Sequence, residues 1–513
     1  MGTIFDRIAA GRLQSAGAPM FVLDDGEPIE WSDAFARCRR LSSRLERNSK
    51  VAVLTLNDWR AFAVVLAAWW KGGTYVPVST THSEASAIEV LRDTGATALF
   101  YHPAFERWVA GIRASCPELT LVESLDAVTP AETEQDPWPS REPGADDLKS
   151  DAPVAIFSTG GTTGRSKGVV HGARTWHQIF DTGLQLLRSE RRPVFLLAAP
   201  LSHAAGLVAW NLMPAGSTTV VLSRFDAARV IDAISLHRVT HVFLPPTALY
   251  ALIAITDIDK EALTSLEYLV VGGGPISPTK LREAVEVLGP RVCQIYGQVE
   301  CPQFIAFMSP AETAQAALRP ELRHRLSACG RPGPGLAVRI TNEDGSEQNA
   351  GQTGEICVRG ELIMEGYYRN PEATRATVDI NGWLHTGDIG YRDGDGFLYL
   401  VDRKSDMIIT GGYNVYSVEV ENALNAHPAV MASAVYGAPD AKWGEAVHAT
   451  VEFKAGMSIG TEDLRDFVKM KVGSVKTPKV IEVAEALPRS PVGKILKREL
   501  RDRLWVGRDR SIA

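Results

Sequence analysis

The 513-residue sequence has no apolar run long enough to cross a bilayer. Its most apolar early stretch, Ala61 to Trp70, is half of the ~20 residues a membrane helix needs and stops at Lys71-Gly72-Gly73. It reads as a buried helix, and no membrane span is expected. Cysteine is sparse: Cys38, Cys116, Cys293, Cys301, Cys329 and Cys357 are scattered, with no CxxC pair and no Cys/His cluster at zinc spacing. That excludes a disulfide framework or a zinc module and fits reduced thiols in a cytoplasmic protein. A long basic run is also missing, and 54 Lys plus Arg against 61 Asp plus Glu leaves a formal charge of −7. Neither nucleic acid nor an anionic membrane is an expected partner. Asp6, Arg7 and Arg12 fall where a secretory signal needs an apolar core, so export is not expected. Repeats and low-complexity tracts are lacking, and 45% hydrophobic with 22% charged residues is an ordinary globular composition.

What is present is a pattern that changes twice along the chain. From Val51 to about Tyr296, short β-branched runs (51–56, 74–78, 97–101, 154–158, 194–200, 218–222, 241–245, 267–273) alternate with helical periodicity. This predicts parallel strands covered by helices. The Pro/Glu/Asp-rich stretch 130–153 reads as a loop. Beyond Cys329 the texture becomes Gly-punctuated strands, a small β subdomain over about 329–402. A third texture from Arg403 reads as α+β. The expected fold class is therefore α/β, with a large N-terminal region 1–402 of stacked sheets plus the β subdomain, and a C-terminal α+β domain 403–513.

The sharpest local signal is the segment Phe157 to Gly168, FSTGGTTGRSKG, directly after an apolar strand. Glycines let a backbone approach an anion, hydroxyls donate to phosphate oxygens and Lys167 supplies charge. A Walker P-loop needs Gly before and Ser or Thr after the lysine, and Ser166 and Gly168 stand there instead, which disfavours a P-loop NTPase. A Gly/Thr surface turn is the competing reading.

This segment resembles the phosphate loop of the adenylate-forming superfamily of acyl-CoA synthetases, luciferases and peptide-synthetase adenylation domains. Further blocks resembling that family follow in order: KGGTYVPV (71–78), PLSHAAGL (200–207), VVGGGPIS (270–277), YGQVE (296–300), GEICVRG (354–360), HTGD (385–388), DRKSDMIITGGYN (402–414) and PRSPVGKILKREL (488–500). The resemblance implies an ATP- and Mg²⁺-dependent ligase that converts a carboxylate to acyl-AMP and passes the acyl group to the thiol of CoA. By the same resemblance, Thr159, Gly160, Gly161, Thr162, Thr163, Gly164 and Lys167 hold the ATP phosphates. Glu300 holds Mg²⁺, and Gly272, Gly273, Gly274 and Pro275 with Tyr296 and Gly297 receive adenine. Asp388 takes the ribose hydroxyls and Arg403 also reaches the nucleotide. Lys494 stabilises charge developing at the α-phosphate, and His203 stands beside the substrate carboxylate. Ser405 marks a hinge about which the C-terminal domain turns, exchanging the Lys494 face for one near Gly411 and Gly412 that lines a pantetheine tunnel. The active site is expected where the N- and C-terminal regions meet.

Two departures stand out. Val299 follows Gln298 where the family has a Thr hydroxyl on the α-phosphate, a loss of about 1.5–3 kcal/mol unless Lys494, Gln298 or the phosphate loop compensates. Ser405 stands where Asp or Lys is usual. Small or apolar residues (Ala204, Ala205, Val208, Pro302, Phe304) beside His203 and Gln303 favour a hydrophobic carboxylic acid, fatty, aromatic or polycyclic. A phosphopantetheinyl carrier protein in place of CoA, a non-catalytic nucleotide-binding homologue, and a homodimer are left open.

Overall fold

A computed structural model describes residues 3–80, 83–127, 153–159, 167–342, 344–489 and 495–506. The chain forms two compact units, one made of Met1–Ala337 with Val358–Leu384, the other of Val338–Cys357 with His385–Ala513. This differs from the division at 402/403. Leu398–Arg403 pairs antiparallel with Leu384–Arg392, and the Asp402 carboxylate accepts from Ser417 at the start of helix Ser417–Asn425. The compact division therefore splits the β subdomain about evenly between the two units.

In the first unit, the strands Val194–Leu197, His241–Leu244, Tyr268–Val271 and Val292–Tyr296 run parallel in one sheet, as the β-branched runs predict. The helices between them stop for local reasons. Ala227–His237 starts on the Asp226 side chain, and Pro278–Leu288 opens with proline and ends at Gly289, φ +77°. Their apolar faces (Val230, Ile234, Leu281, Val285) join the strands in one core. Each such side chain contributes about 1.5–3 kcal/mol.

A seven-stranded sheet holds, in order, Gly366–Tyr367, Lys167–Gly172, Pro153–Thr159, Thr74–Val78, Lys50–Leu54, Ala98–Tyr101 and Leu121–Ser124. The apolar stretch at Ala61 is the helix Trp59–Trp70, capped by Asp58 and buried over most of its length. Among the described residues no helix is long and apolar enough to cross a membrane. No disulfide joins the cysteines, all of which are buried except Cys329.

The second unit holds the strand Leu398–Arg403, most of Ala337–Thr341, Gly354–Arg359 and Leu384–Arg392, and a five-stranded sheet built on the long hairpin Val430–Asp440 and Gly444–Phe453. Helices Ser417–Asn425 and Thr461–Lys476 bury Val420, Leu424, Leu464 and Val468 against that sheet.

Candidate active site

In the first unit, the parallel strands deliver their C-terminal ends to one edge, where open α/β sheets bind ligands. Tyr268–Val271 leads into Gly272-Gly273-Gly274, and the neighbouring strand Val292–Tyr296 leads into Gly297. The glycines have separate causes. A β-carbon on Gly272 would stand 2.6 Å from Ile295 Cγ1, so packing requires glycine there. Gly273 has φ +81° with nothing within 4 Å, so the backbone conformation requires it, and Gly273, Gly274 and Pro275 form an exposed ledge. Tyr296 is buried at the end of its strand.

The phosphate-loop segment is anchored by a hairpin. Pro153–Thr159 and Lys167–Gly172 pair antiparallel with Thr159 opposite Lys167, and Thr159 Oγ1 donates to the Lys167 carbonyl at 3.3 Å. Gly160, Gly161, Thr162, Thr163 and Gly164 lie outside the described residues. The far side of the hairpin pairs with Gly366–Tyr367. That pairing brings in a residue the sequence reading missed: Tyr367, whose ring lies 4.8 Å from Lys167 Nζ and whose hydroxyl donates to Glu300 Oε1 at 2.8 Å. One phenol thus holds the ammonium of Lys167 near the carboxylate of Glu300. No spacing rule could have found it, since Tyr367 and Glu300 are 67 residues apart.

His171 was also missed. It is fully buried on the hairpin, and its Nε2–H donates to the Val299 carbonyl at 2.6 Å. Burial pushes its pKa down to about 4, so at neutral pH the ring is uncharged with its proton on Nε2. The Gln298 backbone N–H donates to the Cys301 carbonyl at 3.0 Å, tightening the turn that carries Val299 and Glu300. His203 sits at the N-cap of helix Ala204–Leu212 with Nδ1 2.9 Å from Ser202 Oγ.

In the second unit, Asp388 and Arg403 stand opposite each other on paired strands and form an ion pair, Nε to Oδ1 2.8 Å, with Asp388 buried. The turn before Asp388 is supported from below. Gly387, at φ +68°, donates its N–H to Glu355 Oε1 at 3.1 Å, and Thr386 Oγ1 donates to the Ile356 carbonyl at 2.7 Å. Glu355, Cys357 and His385 have the atoms of a cation site. The Lys404 ammonium 3.8 Å from Glu355 and a Cys357 thiol raised by burial make the cluster a hydrogen-bonded brace instead. Ser405 lies inside this unit, its carbonyl accepting from Arg501 Nη1 at 3.2 Å. Gly411, φ +57°, packs beneath Trp443, whose Cε3 would be 2.5 Å from an added β-carbon, whereas Gly412, φ +82°, is open.

Lys494 lies outside the described residues. Its flanks are joined by the bridge between Arg489 and Ile495 and by Leu496 N–H donating to the Pro488 carbonyl at 2.8 Å. Just beyond, Lys497 Nζ lies 2.7 Å from Glu421 Oε1 and donates to Ser417 Oγ at 2.7 Å, and Ser417 Oγ donates to Asp402 Oδ1 at 3.0 Å. Glu421 is raised to about 7 by burial, with Lys497 opposing the rise.

Residues 9–368 match the AMP-binding enzyme family and residues 419–494 the AMP-binding enzyme C-terminal domain. The chain belongs to the AMP-binding enzyme family. Among curated relatives, it is 34% identical to the medium/long-chain-fatty-acid–CoA ligase FadD8 of Mycobacterium tuberculosis, over 90% of this chain and 82% of that protein. It is 33% identical to a feruloyl-CoA synthase of an Amycolatopsis species, over 93% of this chain and 94% of that protein. Among solved structures it matches the amide bond synthetase McbA of Marinactinospora thermotolerans with a TM-score of 0.87 at 30% identity, covering 97% of this chain and 99% of that one. This AMP-binding enzyme has the α/β fold of the adenylate-forming enzymes, and it is an ATP-dependent, AMP-forming acid–thiol ligase.

Proposed function

We propose that this ligase activates a hydrophobic carboxylic acid and transfers it to CoA. A carboxylate oxygen attacks the α-phosphorus of ATP, the bond to the β-phosphate breaks and pyrophosphate leaves. The CoA thiol, losing its proton, then attacks the acyl carbon and AMP leaves. The observation that carries this reading is the Lys167–Tyr367–Glu300 cluster. It sets a cation and a hard carboxylate where a polyphosphate would lie against the Thr159–Lys167 hairpin. Glu300 has the donor chemistry Mg²⁺ takes, and the ion when bound would offset polyphosphate charge.

In this reading the Asp388 carboxylate, paired with Arg403, receives the ribose hydroxyls, and Lys494 stabilises the α-phosphate charge in the first step. Gly273 and Gly274 offer adenine a wall without side chains. His171 compensates in part for Val299 by fixing its carbonyl, which holds the Gln298–Glu300 turn in place. Ser405 as the hinge, and Gly411 and Gly412 as the thiol-tunnel wall, belong to the same proposal.

The test is carboxylate-dependent ATP–pyrophosphate exchange over fatty, aryl and polycyclic acids, followed by CoA-dependent AMP release. Exchange together with acyl-CoA formation is expected. Exchange without transfer to CoA would assign the acceptor to a carrier protein, and no exchange with any acid would overturn the reading.

A further inference from the structure

Glu300 and the residue before it are held by bonds from distant parts of the chain. The Glu300 carboxylate accepts from the Tyr367 hydroxyl, its carbonyl accepts from Met364 N–H at 2.9 Å, and the Val299 carbonyl accepts from His171. The first two bonds come from one strap, residues 363–368, so the place of Glu300 follows the place of the strap. That strap runs beside the Lys167–Gly172 strand. Glu365 N–H donates to the Val170 carbonyl at 3.0 Å, Gly366 and Tyr367 pair with Val170 and Val169, and Tyr368 N–H donates to the Gly168 carbonyl at 2.7 Å. As a two-residue strand at the edge of its sheet, it is paired from one side only.

A side chain supplies what the pairing does not. The Glu365 carboxylate, 12% exposed, accepts from Gly172 N–H and lies 3.4 Å from Thr175 Oγ1, which donates to the Ile363 carbonyl at 2.9 Å. Gly172 is the N-cap of helix Ala173–Leu186 and has no side chain to offer. In a capping box the N-cap N–H is taken by a Glu or Gln at the third helical position; that position is Thr175 here, and Glu365 takes the bond from 193 residues away. A carboxylate is favoured there, because the aligned peptide dipoles leave partial positive charge at a helix N-terminus. The fit is close: a β-carbon on Gly172 would stand 2.5 Å from Glu365 Oε1, and Arg174 Nη2 lies 3.6 Å from the same oxygen. The strap is thereby tied to a helix of fourteen residues and not to the sheet edge alone.

We propose that Glu365 is a positioning residue for the metal-binding carboxylate: by tying the strap to the helix it fixes where Tyr367 presents its hydroxyl, and through that hydroxyl where Glu300 stands for Mg²⁺. It acts through Tyr367 and does not itself meet the ion. Tyr367 also holds Lys167 Nζ 4.8 Å from its ring, so a shift of the strap moves cation and carboxylate together. This rests on the reading of Glu300 given above.

The test is a binding measurement. Isothermal titration calorimetry with α,β-methylene-ATP, whose α–β link the enzyme cannot break, gives a dissociation constant in EDTA and another in Mg²⁺, and their ratio is the factor by which the ion tightens binding. In Glu365→Leu that ratio should fall about fivefold, the effect of losing roughly one hydrogen bond. Glu365→Gln keeps an acceptor oxygen in place and should stay within about twofold of native. Tyr367→Phe should lower the ratio at least as far as Glu365→Leu, and combining the two should lower it no further, because the anchor acts through the phenol. A residue that only stabilised the fold would weaken binding with and without the ion alike and leave the ratio unchanged. Should Glu365→Leu fail to fold, Thr175→Val, which removes the hydroxyl bonded to the Ile363 carbonyl, carries the test with the same expected fall. An unchanged ratio in the folded variant, a fall that adds in full to that of Tyr367→Phe, or an equal fall in Glu365→Gln, which would make the effect one of charge and not of anchoring, overturns the inference and leaves the ligase intact. A ratio in Glu300→Gln equal to the native one overturns the assignment of Mg²⁺ to Glu300, and this inference with it.

Discussion

Removing the Lys497 ammonium tests the buried network most severely. Lys497→Met keeps the length of the side chain and deletes its charge, leaving the buried Asp402 and the largely buried Glu421 with no cation between them. Breaking a buried pair from one side costs about 3–5 kcal/mol, because the remaining charge stays desolvated. Hydrogen exchange reads this locally: about 3 kcal/mol is a loss of protection of roughly 150-fold, expected in helices Ser417–Asn425 and Lys497–Asp502 and not in the strands of the first unit. The deficit should depend on pH. The folded Glu421 pKa, about 7, lies above its ordinary 4.5, so between those values the folded state binds more protons than the unfolded one. Stability from this group is thus present at low pH and lost as pH rises through that window, and the variant, in which Glu421 is pushed still higher, should be least impaired near pH 5 and most impaired near pH 8. Lys497→Met/Glu421→Leu should recover part of the loss. Protection within threefold of native in both helices at pH 8 would refute the reasoning.

Other perturbations address single residues. Asp388→Ala should raise the KM for ATP tenfold or more in the exchange assay with little change in the KM for the acid, since the proposed ribose role is a charge-assisted contact worth about 1.5–3 kcal/mol; equal effects on both KM values would argue against that role. Glu300→Gln should lower exchange by about a hundredfold and raise the Mg²⁺ concentration needed for half-maximal rate, whereas an unchanged Mg²⁺ dependence would place the ion elsewhere. His171, neutral in the fold with a pKa near 4 against an ordinary 6.5, binds fewer protons folded than unfolded in that window. Its contribution is therefore present at neutral pH and lost as pH falls from about 6.5 to 4, and denaturant titrations of His171→Leu should show a weaker acid dependence of stability than the native chain. Val299→Thr restores a hydroxyl of the same shape and should change the exchange rate by less than tenfold if the His171-held turn already compensates; a much larger gain would mean the native site is impaired.

The strands and helices of the first unit could be read from local pattern because their causes are local. β-branched runs, caps such as Asp58 and Asp226, and the stop at Gly289 act within a few residues. The order of the motif blocks likewise carried the family and its chemistry. The 402/403 boundary was placed by a change of texture, and texture does not report the pairing of Leu398–Arg403 with Leu384–Arg392 or the bond from Ser417 to Asp402.

What the sequence by itself determined, then, is the alternating strands and helices from Val51 to Tyr296, the order of the motif blocks, and Asp388, Arg403, Gly272 and Gly273 as separate candidates, whereas the pairing of Asp388 with Arg403 across two strands came from the fold. Only the tertiary structure decided which of those glycines answers to packing and which to backbone conformation. It also decided that Tyr367 links Lys167 to Glu300, that His171 reaches the Val299 carbonyl across 128 residues, and that Glu365 meets the Gly172 N–H across 193. Each is a side-chain contact between segments distant in the chain. A tyrosine, a histidine or a glutamate has the same local sequence signal whether it faces solvent, core or ligand. The fold assigns its partner, and with it its charge state and its chemistry.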